Sequence, residues 1–181
     1  WNMKIVNNSN IKKKEIFRIK DGKQSRLDFI RLDKNERSNS HEKKFLLKLK
    51  KNINSNLISA YPEFYKIYNL LSKKYRLNKE NFVFTAGSDQ ALKNTFELFY
   101  KKNKGVITIH PTFAMVDIYC KIFQAKQIRI NYDKNLKLNF DNLYKSISRK
   151  ISLVIIANPN SPTGTILEKN LIEKILIKAN K

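Results

Sequence analysis

Three short stretches of this chain hold residues that could do chemistry together. The first is Ala86-Gly-Ser-Asp-Gln90, between a strand-like and a helix-like segment. Gly87 permits a tight turn, Ser88 is a good helix N-cap, and the free N–H groups of a helix start bind phosphate. Asp89 is an odd neighbour for an anion, although a carboxylate in the first turn complements the helix dipole. The second is His110-Pro-Thr-Phe113, where an aromatic ring at a strand end can stack on a flat heterocycle or pack in a core. The third is Asn158-Pro-Asn-Ser-Pro-Thr-Gly164, after the apolar run 151–156. Its Asn side chains could hydrogen-bond a ring oxygen or serve an Asn-Pro turn.

The rare residues of the chain mark the same places. There are only 4 Pro and 4 Gly in 181 residues. Pro111, Pro159, Pro162, Gly87 and Gly164 lie in the three stretches, and Pro62 lies in Ala60-Tyr-Pro-Glu63. Such residues impose backbone geometry that others adopt only at a cost. Any one of these loops also reads as an ordinary turn.

The segments between the loops must position them. From residue 82 the pattern predicts strands at 82–85, 106–109, 126–131 and 151–156. They alternate with helices at 88–100, 113–123, 140–147 and 167–179. Leu92, Phe96 and Phe99 are expected to face inward. This alternation predicts an α/β fold, a mostly parallel sheet with helices on both faces. In such sheets ligands bind at the carboxyl ends of the strands. Upstream, 1–30 reads as a polar N-terminal arm with one strand candidate at 16–19. Helices are expected at 42–51, through Phe45, Leu46 and Leu49, and at 64–75, through Phe64, Ile67, Tyr68 and Leu71. Pro62 is a suitable starter for the latter.

Composition narrows the function classes. The net charge of +22 invites a nucleic-acid reading, but 30 Lys against 7 Arg, spread along the whole chain, is not a base- or phosphate-reading pattern. Specific nucleic-acid binding is not expected. With two His and one Cys, neither a His/Cys metal site nor an internal disulfide is expected. No apolar run is long enough to span a bilayer and no secretion signal is evident, so no membrane partner and a cytoplasmic location are expected. Dinucleotide, Walker, zinc-protease and Cys-x-x-Cys motifs are absent. The chain opens on Trp1 and closes at Lys181 within a helical run, which suggests a piece of something longer.

Five stretches in order carry a resemblance: Leu32-Asp-Lys-Asn-Glu36, Tyr61-Pro-Glu63, Ala86-Gly-Ser-Asp-Gln90, Pro111-Thr-Phe113 and Asn158-Pro-Asn-Ser-Pro-Thr-Gly164. The set resembles the fold-type I, class I/II pyridoxal 5'-phosphate (PLP)-dependent aminotransferases, most of all the histidinol-phosphate aminotransferase branch. The resemblance implies that 31–181 is the N-terminal part of a large, PLP-binding domain. It implies that Gly87, Ser88 and Asp89 take the cofactor phosphate on backbone N–H groups and that Phe113 stacks on the pyridine ring. Tyr61 would reach the phosphate in the neighbouring subunit of a homodimer, and Asn35 would line the substrate pocket. Asn160 and Ser161 fall in the loop that contacts the pyridine 3'-oxygen. The commonest form of that motif has Asn directly before Pro-Thr-Gly, where this chain has Ser161. Either Asn160 takes the contact or Ser161 makes a weaker one.

The family's D-x-A-Y segment, Schiff-base Lys and carboxylate-binding Arg would follow Gly164 and do not occur in this chain. Ser9-Asn-Ile-Lys12 and Ser40-His-Glu-Lys43 match a bare S-x-x-K but precede every cofactor loop. The expected activity of the complete enzyme is amino transfer between an amino-acid-like donor, phosphorylated or otherwise anionic, and a 2-oxo acid. The 181-residue chain alone is expected to be inactive. A related PLP-dependent decarboxylase and a basic non-enzymatic nucleic-acid-binding protein are the alternatives.

Overall fold

The computed structural model describes residues 25–31 and 36–180. They divide into two compact units, one reaching to Val83 and one starting at Phe84.

The first unit holds a 3-10 turn at Arg26–Asp28, α1 (Lys43–Asn52), α2 (Ser55–Ser59), α3 (Tyr65–Tyr75) and a second 3-10 turn at Lys79–Asn81. Asn54 starts α2 by accepting the Leu57 N–H at 2.9 Å. Arg76 ends α3 in the left-handed region, φ 55°. α1 and α3 stand where the apolar periodicity predicts, yet none of their residues is buried within the described structure. α2 and both 3-10 turns were not legible, being too short to show a period. The strand candidate at 16–19 lies outside the described residues.

The second unit carries α4 (Gly87–Phe99), β1 (Gly105–His110), α5 (Ala114–Ile122), β2 (Lys126–Asn131), α6 (Phe140–Ser146), β3 (Ile151–Ile155) and α7 (Lys169–Ala179). The strands form a parallel sheet in the order β2-β1-β3. β1 is central and buried on both faces, as a near-continuous apolar run in a parallel sheet must be. Its alternate residues separate two cores. Ile107 and Ile109 pack with Ile130, Leu143 of α6 and Ile175 of α7. Val106 packs with Phe96 of α4 and with Tyr119 and Cys120 of α5. Helices therefore cover both faces of a parallel sheet, the predicted α/β architecture.

Three expectations are corrected. Among the described residues, 82–85 pair with no strand: Phe82 is extended, φ −117° and ψ 138°, but extended backbone rich in β-formers is not a ladder. Phe99 is 60% exposed rather than inward. Tyr100 takes its place, its ring 6.3 Å from Phe96 and 6.4 Å from Phe123. Ser88 is not the N-cap of α4; Ala86 is, and Gly87 and Ser88 are the first two helical residues.

The connections fix which ends meet. Only residues 100–104 join α4 to β1, so α4 runs antiparallel to the strand and starts at the sheet's carboxyl edge. α5 follows the carboxyl end of β1, and the loop 156–168 follows that of β3. The three stretches singled out in the sequence are thereby brought to one edge of one sheet.

Candidate functional site

At the start of α4, Gly87 has φ +84°, a conformation L side chains rarely adopt, while nothing lies within 4 Å of the Cβ it lacks. Glycine is needed there for backbone shape, not for space. Its N–H donates to the Thr85 carbonyl at 2.8 Å, and Thr85 Oγ1 donates back to the Gly87 carbonyl at 2.9 Å. No side chain caps the helix, so beyond the Gly87 N–H, which the Thr85 carbonyl takes, no side-chain oxygen claims its first-turn N–H groups. The oddly placed Asp89 is also explained: its carboxylate accepts a 3.0 Å hydrogen bond from Tyr119 of α5. Burial, then that bond, pushes the Tyr119 phenol above its ordinary range.

Phe113 is the residue at which α5 begins, and it is 41% exposed. A large ring half open to solvent at a strand-to-helix junction is available for stacking. At the end of β1, His110 Nε2 lies 3.2 Å from Asp117 Oδ1 and 3.2 Å from Gln127 Nε2. Gln127 donates to Asp117 at 2.6 Å and to Thr108 at 3.0 Å, and Arg129 Nη2 lies 3.3 Å from the other Asp117 oxygen. Burial depresses the His110 pKa, with Asp117 opposing.

In the loop after β3, Asn158 closes the turn on Leu167, accepting its N–H at 2.8 Å and donating to its carbonyl at 3.2 Å. Asn160 is 3% exposed and bonded on every side. Ser161, next to it, is exposed.

The structure thus brings together Gly87, Ser88, Asp89, Phe113, Asn160 and Ser161. Tyr61 belongs to the other unit, 96% exposed in the segment between α2 and α3. Asn35 lies outside the described residues. Sequence reasoning missed Thr112, Tyr119, Tyr132, Thr163 and Thr165, the polar groups that tie the loops together. A signal existed: the dipeptide Pro-Thr occurs at both 111–112 and 162–163, and both threonines bond Asn160.

An uncapped helix start, an exposed ring and an exposed hydroxyl on one edge suit a flat heterocycle carrying a phosphate. Among the described residues no three His, Cys, Asp or Glu side chains could hold a metal ion. No described helix is long and apolar enough to cross a membrane.

Comparison with known proteins agrees with this geometry. The family model described as aminotransferase class I and II matches residues 20–181. A histidinol-phosphate aminotransferase of Pelagibacter ubique is 38% identical over 128 residues, covering 69% of this chain and 35% of that protein. One of Clostridium kluyveri is 30% identical over 155 residues, covering 83% of this chain and 44% of that protein. The chain therefore spans less than half the length of these relatives. Among solved structures, the histidinol-phosphate aminotransferase of Sinorhizobium meliloti in complex with pyridoxal-5'-phosphate superposes with a TM-score of 0.65. That match covers 76% of this chain and 37% of that one, and at 17% identity it speaks for the fold alone.

Proposed function

This chain belongs to the aminotransferase class I and II family, and from that premise we propose that it is the N-terminal part, over 31–181, of the large PLP-binding domain of a transaminase. The observation that carries the proposal is the convergence of the α4 start, Phe113 and Ser161 on one sheet edge, in the segment that matches the family. When bound, the cofactor supplies an electron sink for the bond broken at the substrate's α-carbon.

The chain's own residues have defined tasks. Backbone N–H groups at Ser88 and Asp89 hold the phosphate on the turn that Gly87 shapes, its own N–H being taken by the Thr85 carbonyl, helped by the positive end of α4. The Asp89 carboxylate, turned to Tyr119, is kept occupied by that hydroxyl. Phe113 supports one face of the ring. Ser161 would present a hydroxyl to the ring's 3'-oxygen, a weaker contact than an Asn amide would give. Tyr61, being so exposed, reaches the phosphate site of a second subunit in a homodimer, and Asn35 lines the substrate pocket.

The names of the relatives point to a phosphorylated amino donor, a 2-oxo acid acceptor and a role in amino-acid biosynthesis. A chain with one Cys, buried, suits the cytoplasm. The residues that bond the cofactor covalently and bind the substrate carboxylate belong to family segments beyond Gly164, so the 181 residues alone do not transaminate. The nucleic-acid reading leaves the matched loops unexplained.

The test pairs the 181-residue chain with the longer protein that carries it. Each is titrated with PLP and assayed for amino transfer from histidinol phosphate to 2-oxo acids and for release of CO2. The longer protein is expected to bind PLP and transfer the amino group, and the shorter to show no turnover. Steady turnover by the 181-residue chain, or CO2 release in place of amino transfer, would overturn the reading.

A further inference from the structure

We infer that Asn160 is a positioning residue. Its side chain locks the loop after β3 onto the loop after β1, and so holds Ser161 and Phe113 in one frame without itself touching the ligand. The inference rests on reading this edge as the cofactor site.

An Asn amide has two donor hydrogens and one acceptor oxygen. Both hydrogens of Asn160 are in use, one to the Pro111 carbonyl at 2.9 Å and one to Thr163 Oγ1 at 2.7 Å. Its oxygen accepts from Thr112 Oγ1 at 2.8 Å. The backbone closes the same knot: Asn160 N–H donates to the Thr165 carbonyl at 2.8 Å, and Gly164 N–H to the Asn160 carbonyl at 2.8 Å. With the residue 3% exposed, a contact to a ring oxygen would require breaking one of these bonds and leaving a buried group unpaired.

The knot also reaches the third strand. Thr163 Oγ1 lies 2.8 Å from Thr165 Oγ1, which donates to Tyr132 Oη at 2.7 Å. Tyr132 follows β2 directly, and its N–H donates to the His110 carbonyl at 2.9 Å. The loops after β1, β2 and β3 are therefore one connected polar network. The two exposed residues each follow a pinned one: Phe113 follows Thr112, and Ser161 follows Asn160. Fixing Thr112 to Asn160 fixes the spacing between the ring that stacks and the hydroxyl that meets the ring oxygen.

The experiment uses the longer protein that carries this segment, with PLP as the probe and the variants N160A, T112V, N160A/T112V and S161A. Three quantities are read: the PLP dissociation constant, the pH dependence of the bound cofactor's absorption, and hydrogen exchange at the Gly164 and Thr165 amides without PLP. N160A is expected to weaken PLP binding about 10-fold and to speed exchange at Gly164, while leaving the spectral pH midpoint in place. S161A is expected to move the midpoint and leave the exchange unchanged. T112V, the milder change, is expected to weaken binding about 3-fold and to add nothing in the double variant. A shifted midpoint in N160A with none in S161A makes Asn160 the ligand and overturns the inference. So do unchanged exchange in N160A and fully additive N160A and T112V effects. If the wild-type protein takes up no PLP, the proposed function falls, and this inference with it.

Discussion

At the scale of single residues, His110 shows how a polar group is held at the end of β1. Its imidazole faces Asp117 and Gln127, with Thr108 beyond on Gln127 and Arg129 beyond on Asp117. Burial disfavours the charged ring more than Asp117 favours it, so the folded pKa lies below the ordinary 6.5. As pH falls below 6.5, the unfolded chain takes up the proton before the folded one does. The stability this group contributes is full above that value and is lost as pH falls through the folded pKa. Urea midpoints measured across that window should therefore fall less steeply for His110→Gln than for the natural chain. An identical slope in both would show that His110 carries no such linkage. Cys120 makes a contrast: burial pushes its thiol to about 12, so it acts as a small apolar residue of the core.

At the scale of elements, β1 decides the architecture. Its first residue, Gly105, lies against the ends of two isoleucine side chains from the flanking strands, while the nearest backbone atom, the Lys126 carbonyl oxygen, would be 3.5 Å from an added Cβ. A Cβ there would meet Ile151 Cδ1 at 2.8 Å and Ile128 Cδ1 at 3.2 Å. Gly105→Ala should cost about 1 kcal/mol, the low end of overpacking, because the two Ile side-chain ends can turn aside. Leu98→Ala, at a position 75% exposed on α4, should change stability by less than about 0.5 kcal/mol. Denaturant melts of the two variants would check the contrast, and equal effects would contradict the close packing at Gly105. The helices and strands of this second unit were legible because each is long enough to show its period. The strand expected at 82–85 does not form, since pairing needs a neighbour that local β propensity does not supply. The inward Phe99 failed for a related reason: the helix ends there, and Tyr100 turns into the core in its place.

At the scale of the whole molecule, charge dominates. A net +22 over 181 residues makes the chain repel itself, and salt screens that repulsion. The melting temperature should rise by several degrees between about 0.05 and 0.5 M NaCl. Weak binding to DNA or RNA should vanish over the same range, without sequence preference. Sequence-selective binding that survives the higher salt would instead revive the nucleic-acid reading. Many large apolar side chains of the helices are exposed, including Phe45 and Leu57 of the first unit and Leu176 and Ile177 of α7. Apolar surface of this extent favours association.

Local signals were enough to reveal the α/β pattern and the three loops, because hydrophobic periodicity and the scarce Pro and Gly are properties of neighbouring residues. The order of the motifs also carried the family. Which residues of those loops are buried and bonded, and which are exposed, came from packing alone. Asn160 and Ser161 are neighbours with similar prospects on paper, and the sequence left the choice between them open. One is sealed by Thr112, Pro111 and Thr163, while the other faces solvent. Likewise Asp89 looked out of place until Tyr119, 30 residues away, came to meet its carboxylate. Hydrogen bonds between segments so far apart along the chain depend on how the sheet brings the strand ends together, which no local spacing encodes.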